Sequence, residues 1–230
     1  MHKYEEGVVL LIDKPFEWTS FDVVRKLRAL LKIRKIGHAG TLDPLATGLL
    51  ILCTGKWTKR INEYMAQEKE YTGSFTLGAT TASYDLETRP MPVKDVSGMD
   101  EQLIRAAVQP FTGPIMQVPP AHSAIKKDGK RVYEAARRGE EVLLEPRKVT
   151  IHRFDITSIQ LPVVEFRVVC STGTYIRSLA HDFGAALGCG AYLSSLCRTR
   201  IGSFELKDAW SIQQAEEMIR AETGSIKKDS

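Results

Sequence analysis

Residues 37–50 read GHAGTLDPLATGLL, the stretch of the chain that is richest in information. One acid, Asp43, stands between residues that shape backbone: Gly37 and Gly40 precede it, and Pro44 and Gly48 follow it. Glycine permits positive φ and lets backbone come close to a ligand. Pro44 fixes its own φ and biases Asp43 away from the helical region. The spacing predicts a loop that holds one carboxylate rigidly at the rim of a cleft. These rules alone go no further, since a loop aspartate is more often a turn-former or cap than a catalyst.

Outward from this loop the pattern alternates between strand and helix. Upstream, Gly7 to Asp13 reads as a buried strand stopped by Lys14-Pro15. A helix is expected after Thr19 or Ser20, either of which can cap it, with Val23, Val24, Leu27, Leu30 and Leu31 on one face. Lys35 to Gly48 is expected as loop and Leu49 to Cys53 as a short strand. Downstream, Trp57 to Ala66 reads as helix, Glu70 to Leu77 as strand and Gly78 to Pro92 as loop. Asp100 to Val108 reads as helix, Phe111 to Ala124 as extended chain and Val132 to Arg138 as helix. Two strands, Val149 to Leu161 and Val163 to Ser171, meet near Pro162. Tyr175 to Leu187 reads as helix, Tyr192 to Phe204 as strand, and Asp208 to Glu222 as a last helix capped by Asp208 or Ser211. Thr223 to Ser230 is a polar tail expected to fray. Irregular interleaving of this kind argues α+β, with a mixed or antiparallel central sheet flanked by helices and loops.

The 230 residues are 43% hydrophobic and 26% charged, enough to bury a real core. No linker, repeat or low-complexity run divides them, so one domain over residues 1–222 is expected. The apolar run from Gly7 to Ile12 is too short for a signal core or a membrane span, which points to a cytoplasmic chain. Cys53, Cys170, Cys189 and Cys197 have no CxxC spacing; they read as thiols in a reducing compartment, with no metal site. Net charge is +4. Between Lys126 and Arg153, nine Lys/Arg face five acids, an excess equal to that of the whole chain. A concentrated basic segment suits a polyanion such as RNA, although charge runs in general are more often a solvated helix face.

GHAGTLDPLATGLL resembles the catalytic loop of the TruB family of pseudouridine synthases, and further segments agree in the same order. Lys14-Pro15 resembles the family's early Asp-Lys-Pro, and Lys69-Glu70-Tyr71 its Lys-x-Tyr. Pro119 to Lys126 and Gly129 to Gly139 resemble its RNA-gripping insertion, here about residues 112–148. Ser171 to Arg177 (STGTYIR) resembles its Gly-Thr-Tyr-Ile-Arg motif, and Gly188 to Arg198 its Gly-Cys-Gly-Ala…Leu-x-Arg segment. The likeness runs from about Gly7 to about Ala221.

The resemblance implies a pseudouridine synthase fold and an isomerase acting on the T-loop uridine of tRNA, position 55. It implies no cofactor and no obligatory protein partner, and the chain is expected to be monomeric. Asp43 takes the place of the nucleophile, a carboxylate ionised at pH 7 from a reference pKa of ~3.9. Tyr71 takes the place of a tyrosine that stacks on the uracil and assists the final proton removal. Arg177 matches a buried arginine that keeps the nucleophile ionised and oriented. Tyr175 is expected to line the pocket. His38 matches a residue that fills the gap left by the extruded base. Lys14 is expected to be structural or RNA-facing, and Leu196 and Arg198 to form pocket wall. Lys126, Lys130, Arg131, Arg137 and Arg138 are the expected phosphate contacts.

Three departures from the family pattern stand out. In Thr80 to Arg89 (TTASYDLETR) only Asp85 aligns with the family's acidic stretch. His122 stands where an aromatic is common, keeping a planar ring but adding a proton equilibrium near neutrality. Many relatives carry a PUA-type domain after the catalytic one; this chain is expected to be the catalytic domain without it. Three other readings compete: a non-catalytic RNA binder or tRNA-folding chaperone, the enzyme core of a guide-RNA particle, and a His38/Asp43 hydrolase. The last lacks a nucleophile or metal set.

Overall fold

The computed structural model describes residues 2–121, 126–127, 130–131 and 144–225. They fall into two compact units, Met1–Tyr71 with Leu196–Ser230, and Thr72–Ser195. The chain passes between units within two strands. In chain order the first unit holds α1 (His2–Glu6), β1 (Val9–Lys14), α2 (Ser20–Leu31), β2 (Ile36–His38), β3 (Ala46–Thr54), α3 (Ile61–Met65) and the start of β4 (Lys69–Leu77). The second holds the rest of β4, then β5 (Ala79–Thr80), β6 (Met91–Pro92), α4 (Glu101–Ala106), β7 (Gly113–Gln117), β8 (Lys126–Lys127) and β9 (Lys130–Arg131). It continues through β10 (Arg147–Gln160), β11 (Val163–Cys170), α5 (Ile176–Ala186) and the start of β12 (Ala191–Ile201). The end of β12, β13 (Phe204–Glu205) and α6 (Ile212–Ser225) return to the first unit.

In the first unit β3 is the central strand. β1 and β2 pair with it antiparallel, and the end of β12 pairs with it in parallel, Leu196 opposite Ala46 and Arg198 opposite Gly48. One parallel pairing makes the sheet mixed. Side chains alternate along a strand, so Leu50 and Leu52 join a core with Val23, Val24, Leu27 and Leu31 of α2 and Ala215 and Ile219 of α6. Leu49, Ile51 and Cys53 join a second cluster with Ala39, Tyr64 and Ile201. Both faces are covered, which is why β3 reads as an unbroken apolar run.

Helix ends follow local chemistry. Thr19 caps α2 reciprocally: Asp22 N donates to Thr19 Oγ1 at 3.0 Å, and Thr19 N donates to Asp22 Oδ2 at 3.0 Å. Ser211 and Gln214 do the same for α6, at 3.2 and 2.9 Å. Asp208, the other candidate cap, sits in a short 3₁₀ turn instead.

In the second unit β4, β11, β10 and β7 pair in that order. Phe75 stacks on Phe166 at 4.2 Å, and Phe154 and Phe183 pack edge-on or tilted around it. Phe183 belongs to α5, so this aromatic cluster fixes the helix on the sheet. Gly184 is a packing requirement: a Cβ there would lie 2.1 Å from the Ala191 nitrogen.

The α+β reading stands, with local corrections. The expected loop over 35–48 contains β2 and the start of β3. The expected helix over 57–66 is a 3₁₀ segment, Gly55–Arg60, followed by α3. α6 continues to Ser225, into the stretch read as tail. The expected helix over 132–138 and His122 lie outside the described residues.

Candidate active site

The Asp43 loop is pinned from three sides by groups of the first unit. Ser20, buried at the start of α2, makes two bonds to one residue: its Oγ accepts from Leu42 N at 2.9 Å and donates to Leu42 O at 3.2 Å. Lys14, fully buried, donates from Nζ to Trp18 O at 2.5 Å, Pro15 O at 2.9 Å and Pro44 O at 3.2 Å. Glu17 N also donates to Pro44 O, at 2.9 Å. Arg198, equally buried, donates from Nε to Leu49 O at 2.8 Å and through its guanidinium to Gly40 O at 3.1 Å. Residues immediately before and after Asp43 are thus tied down, while Asp43 itself stays half-buried and closes a turn by accepting from Ala46 N at 3.1 Å.

Gly48 shows why this loop needs its glycine. Its φ is +100°, and a Cβ would lie 2.4 Å from the Arg198 carbonyl oxygen of the adjoining strand. The close approach of β12 that brings Arg198 to the loop depends on the missing side chain.

Burial pushes the Lys14 ammonium down to about 8; the neighbouring Asp43 carboxylate acts in the opposite direction and Arg198 in the same one. Of the two roles expected for Lys14, structural or RNA-facing, its geometry fits the structural one, and Arg198 packs in the same way. Both are engulfed and directed at backbone carbonyls, so they hold the loop and offer no exposed charge to a phosphate.

His38 ends β2 opposite Leu52, half-buried, and its burial lowers its pKa, which favours the neutral ring. Tyr71 is buried in β4. Leu196 is partly exposed, opposite Ala46, and its carbonyl accepts from Thr47 Oγ1 at 3.4 Å. Six sequence-selected residues (His38, Asp43, Lys14, Tyr71, Leu196 and Arg198) therefore lie in the first unit.

Arg177 and Tyr175 belong to the second unit. Arg177, in the first turn of α5, is buried and forms an ion pair with the buried Asp85, Nε to Oδ2 at 3.7 Å. Its guanidinium also donates to Ser83 O at 3.4 Å. Asp85 Oδ1 accepts from Glu87 N at 3.0 Å, which orients the carboxylate. Tyr175 precedes α5, and the Gln117 amide grips its backbone on both sides: Tyr175 N donates to Oε1 at 2.8 Å, and Nε2 donates to Tyr175 O at 3.0 Å. The Arg147 guanidinium lies 4.5 Å from the Tyr175 ring centre and donates to the Gly173 carbonyl.

Sequence reasoning missed Ser20 as an anchor and Gln117 as a clamp, and left Asp85 without a role. None carries a local signal, because each acts on backbone or on a side chain distant in sequence. In the insertion, Lys126–Lys127 and Lys130–Arg131 form a two-stranded ladder; Arg137 and Arg138 lie outside the described residues.

With this geometry in place, comparison with known proteins defines the class. Residues 28–176 match the model of the TruB family pseudouridylate synthase N-terminal domain, and residues 177–228 that of the tRNA pseudouridylate synthase B C-terminal domain. The chain belongs to the TruB family. It is 56% identical to tRNA pseudouridine synthase B of Flavobacterium johnsoniae, over 95% of this chain and 98% of that one. It is 49% identical to the protein of the same name from Chlorobaculum tepidum, over 94% and 93%. Among solved structures, a chain of a Cbf5-Nop10-Gar1 complex superposes with a TM-score of 0.75 at 29% identity, covering 96% of this chain and 57% of that chain. Among the described residues no helix is long and apolar enough to cross a membrane.

Proposed function

We propose that this chain converts the T-loop uridine of tRNA, position 55, to pseudouridine, with Asp43 as nucleophile. The observation that carries the reading is the triple anchoring of the Asp43 loop by Ser20, Lys14 and Arg198, in a chain 56% identical to a tRNA pseudouridine synthase B. A carboxylate that must meet one nucleotide of a large substrate gains from being held before the substrate arrives. No net redox change is involved. The bond between uracil N1 and ribose C1′ breaks, the ring turns and a bond forms between uracil C5 and C1′; C5 loses its proton, N1 takes one up and the Asp43 carboxylate is released, so product and substrate are isomers. Asp43 supplies the covalent attachment. Tyr71 stacks on the ring and takes part in the last proton removal. Arg177 supports the ionised nucleophile, and His38 fills the gap left when the nucleoside is extruded, an event that costs a few kcal/mol of stacking.

The basic insertion, with Lys126, Lys130, Arg131, Arg137 and Arg138, grips phosphates of the T arm. The chain acts as a cytoplasmic monomer without cofactor or protein partner. The test is to map pseudouridine in a T-arm hairpin after incubation with the pure protein and with Asp43→Asn. Modification by the wild type and none by the variant is expected. Equal modification by both would sink Asp43 as nucleophile, and none by either would favour the non-catalytic RNA binder.

A further inference from the structure

An aromatic pair lies beside the Arg177–Asp85 ion pair. Tyr84 has φ of +64°, a conformation that a bulky residue adopts only when its surroundings impose it. Its ring stacks on His181 with centroids 4.1 Å apart and planes at 16°. His181 stands four residues after Arg177 on α5, so the two share a helix face. The neighbours of Tyr84 in the chain, Ser83 and Asp85, both contact the Arg177 guanidinium. The turn is fixed from its other side as well, because Leu193 N donates to Tyr84 O at 2.9 Å. Among the described residues the buried His181 Nδ1 has no hydrogen-bond partner. Its ring is therefore oriented by stacking rather than by a bond from that nitrogen.

From this geometry we infer that Tyr84 and His181 are positioning residues, whose stacked rings hold the Ser83–Asp85 turn against α5 and so fix the Arg177 guanidinium for the reaction. The inference rests on the reading of Arg177 given above. The stacked rings hold the left-handed turn on the helix beside the Arg177–Asp85 pair. Stacking is satisfied by any flat ring, so shape and not proton chemistry is the requirement.

The test measures kcat and KM on a T-arm hairpin for His181→Ala, His181→Phe, Tyr84→Asn and the double variant His181→Ala/Tyr84→Asn. Asparagine tolerates the left-handed backbone, so Tyr84→Asn removes the ring while leaving the turn allowed. Displacement of a positioned group by about 1 Å costs up to about a hundred-fold in rate. His181→Ala and Tyr84→Asn are each expected to lower kcat by about ten-fold or more, with KM within about two-fold. The double variant should be no worse than either single one, since both remove the same contact. His181→Phe should retain most of the rate. Unchanged kcat in His181→Ala, a loss confined to KM, or an equal loss in His181→Phe would overturn the proposal.

Arg177→Lys separates this inference from the reading beneath it. A near-normal rate in that variant removes the role of Arg177 and the positioning role with it. A dead Arg177→Lys beside a normal His181→Ala removes only the positioning role. Should His181→Ala not fold, the side-chain Nε–H resonance of Arg177 in Tyr84→Asn decides: a shift is expected, and an unmoved resonance overturns the proposal.

Discussion

Lys14 in the first unit and Arg177 in the second are both buried cations, and they differ in whether a carboxylate faces the charge. Lys14 has its ammonium surrounded by three backbone carbonyls, at 2.5, 2.9 and 3.2 Å. Arg177 has a carboxylate, Asp85, with side-chain exposures of 4% and 6% for the pair. Carbonyl dipoles stabilise a charge while leaving it able to lose its proton, and burial has accordingly brought Lys14 down to about 8. A guanidinium cannot be deprotonated in this range, so Arg177 keeps its charge beside the Asp85 carboxylate. The first arrangement ties three stretches of backbone together; the second orients one side chain.

The largest effect is expected at the ion pair. Asp85→Ala leaves the Arg177 charge buried without this carboxylate, a change that costs about 3–5 kcal/mol. Chemical denaturation should show this loss, and the apolar double variant Asp85→Leu/Arg177→Met should recover much of it. If Asp85→Ala unfolds at the wild-type midpoint, the pair is not the counter-charge described here. Next comes Gly48→Ala, which meets both the positive φ and the Arg198 carbonyl. Strain and overpacking each cost about 1–3 kcal/mol. Activity should fall with stability, because the strand that presents Arg198 is forced off the loop. A fully active, equally stable Gly48→Ala would show that this approach is dispensable. Ser20→Ala is expected to be milder: the buried Leu42 N–H loses its partner, at about 1–3 kcal/mol, and kcat should drop more than RNA affinity does. Equal loss in both would mean that Ser20 supports the fold alone.

How far the sequence reveals each half of this contrast follows from the same physics. The helix over 20–31 was legible because its apolar spacing and its Thr19 cap are local properties. The aspartate loop was legible because glycine and proline announce unusual backbone. Lys14 was visible as a motif residue, but its burial was not: a lysine beside a proline looks solvent-exposed until β1 is placed under α2 and the loop. Asp85 was visible as an acid with no role, because its partner lies 92 residues further along the chain. The Tyr84–His181 stack left no trace in composition or periodicity, since neither residue occupies a position that its local pattern demands. Local backbone chemistry is written in neighbouring residues, whereas the pairing of buried charges is written in topology.

The smallest expected effect is the most specific to Lys14, and it runs in opposite directions for stability and activity. In the unfolded chain a lysine keeps its ordinary pKa near 10.4, while in the fold burial holds Lys14 at about 8. Between these values the unfolded state binds more protons, so this group makes stability rise with pH, by at most about 1.4 kcal/mol per pH unit. Activity should instead decline above pH 8, because a neutral amine has two N–H groups for three carbonyls. Pro44 O, the longest of the three contacts at 3.2 Å, is the one released, and it belongs to the residue next to Asp43. Lys14→Met has no proton to lose, so its rate, already reduced, should not show this alkaline limb, and its stability relative to wild type should fall across the same window. The measurement is paired: hairpin modification rates and denaturation midpoints for both proteins from pH 7 to 9.5. A common alkaline limb in wild type and Lys14→Met would assign the titration to another group and leave the carbonyl cage a purely structural device, no different in kind from the ion pair at Arg177.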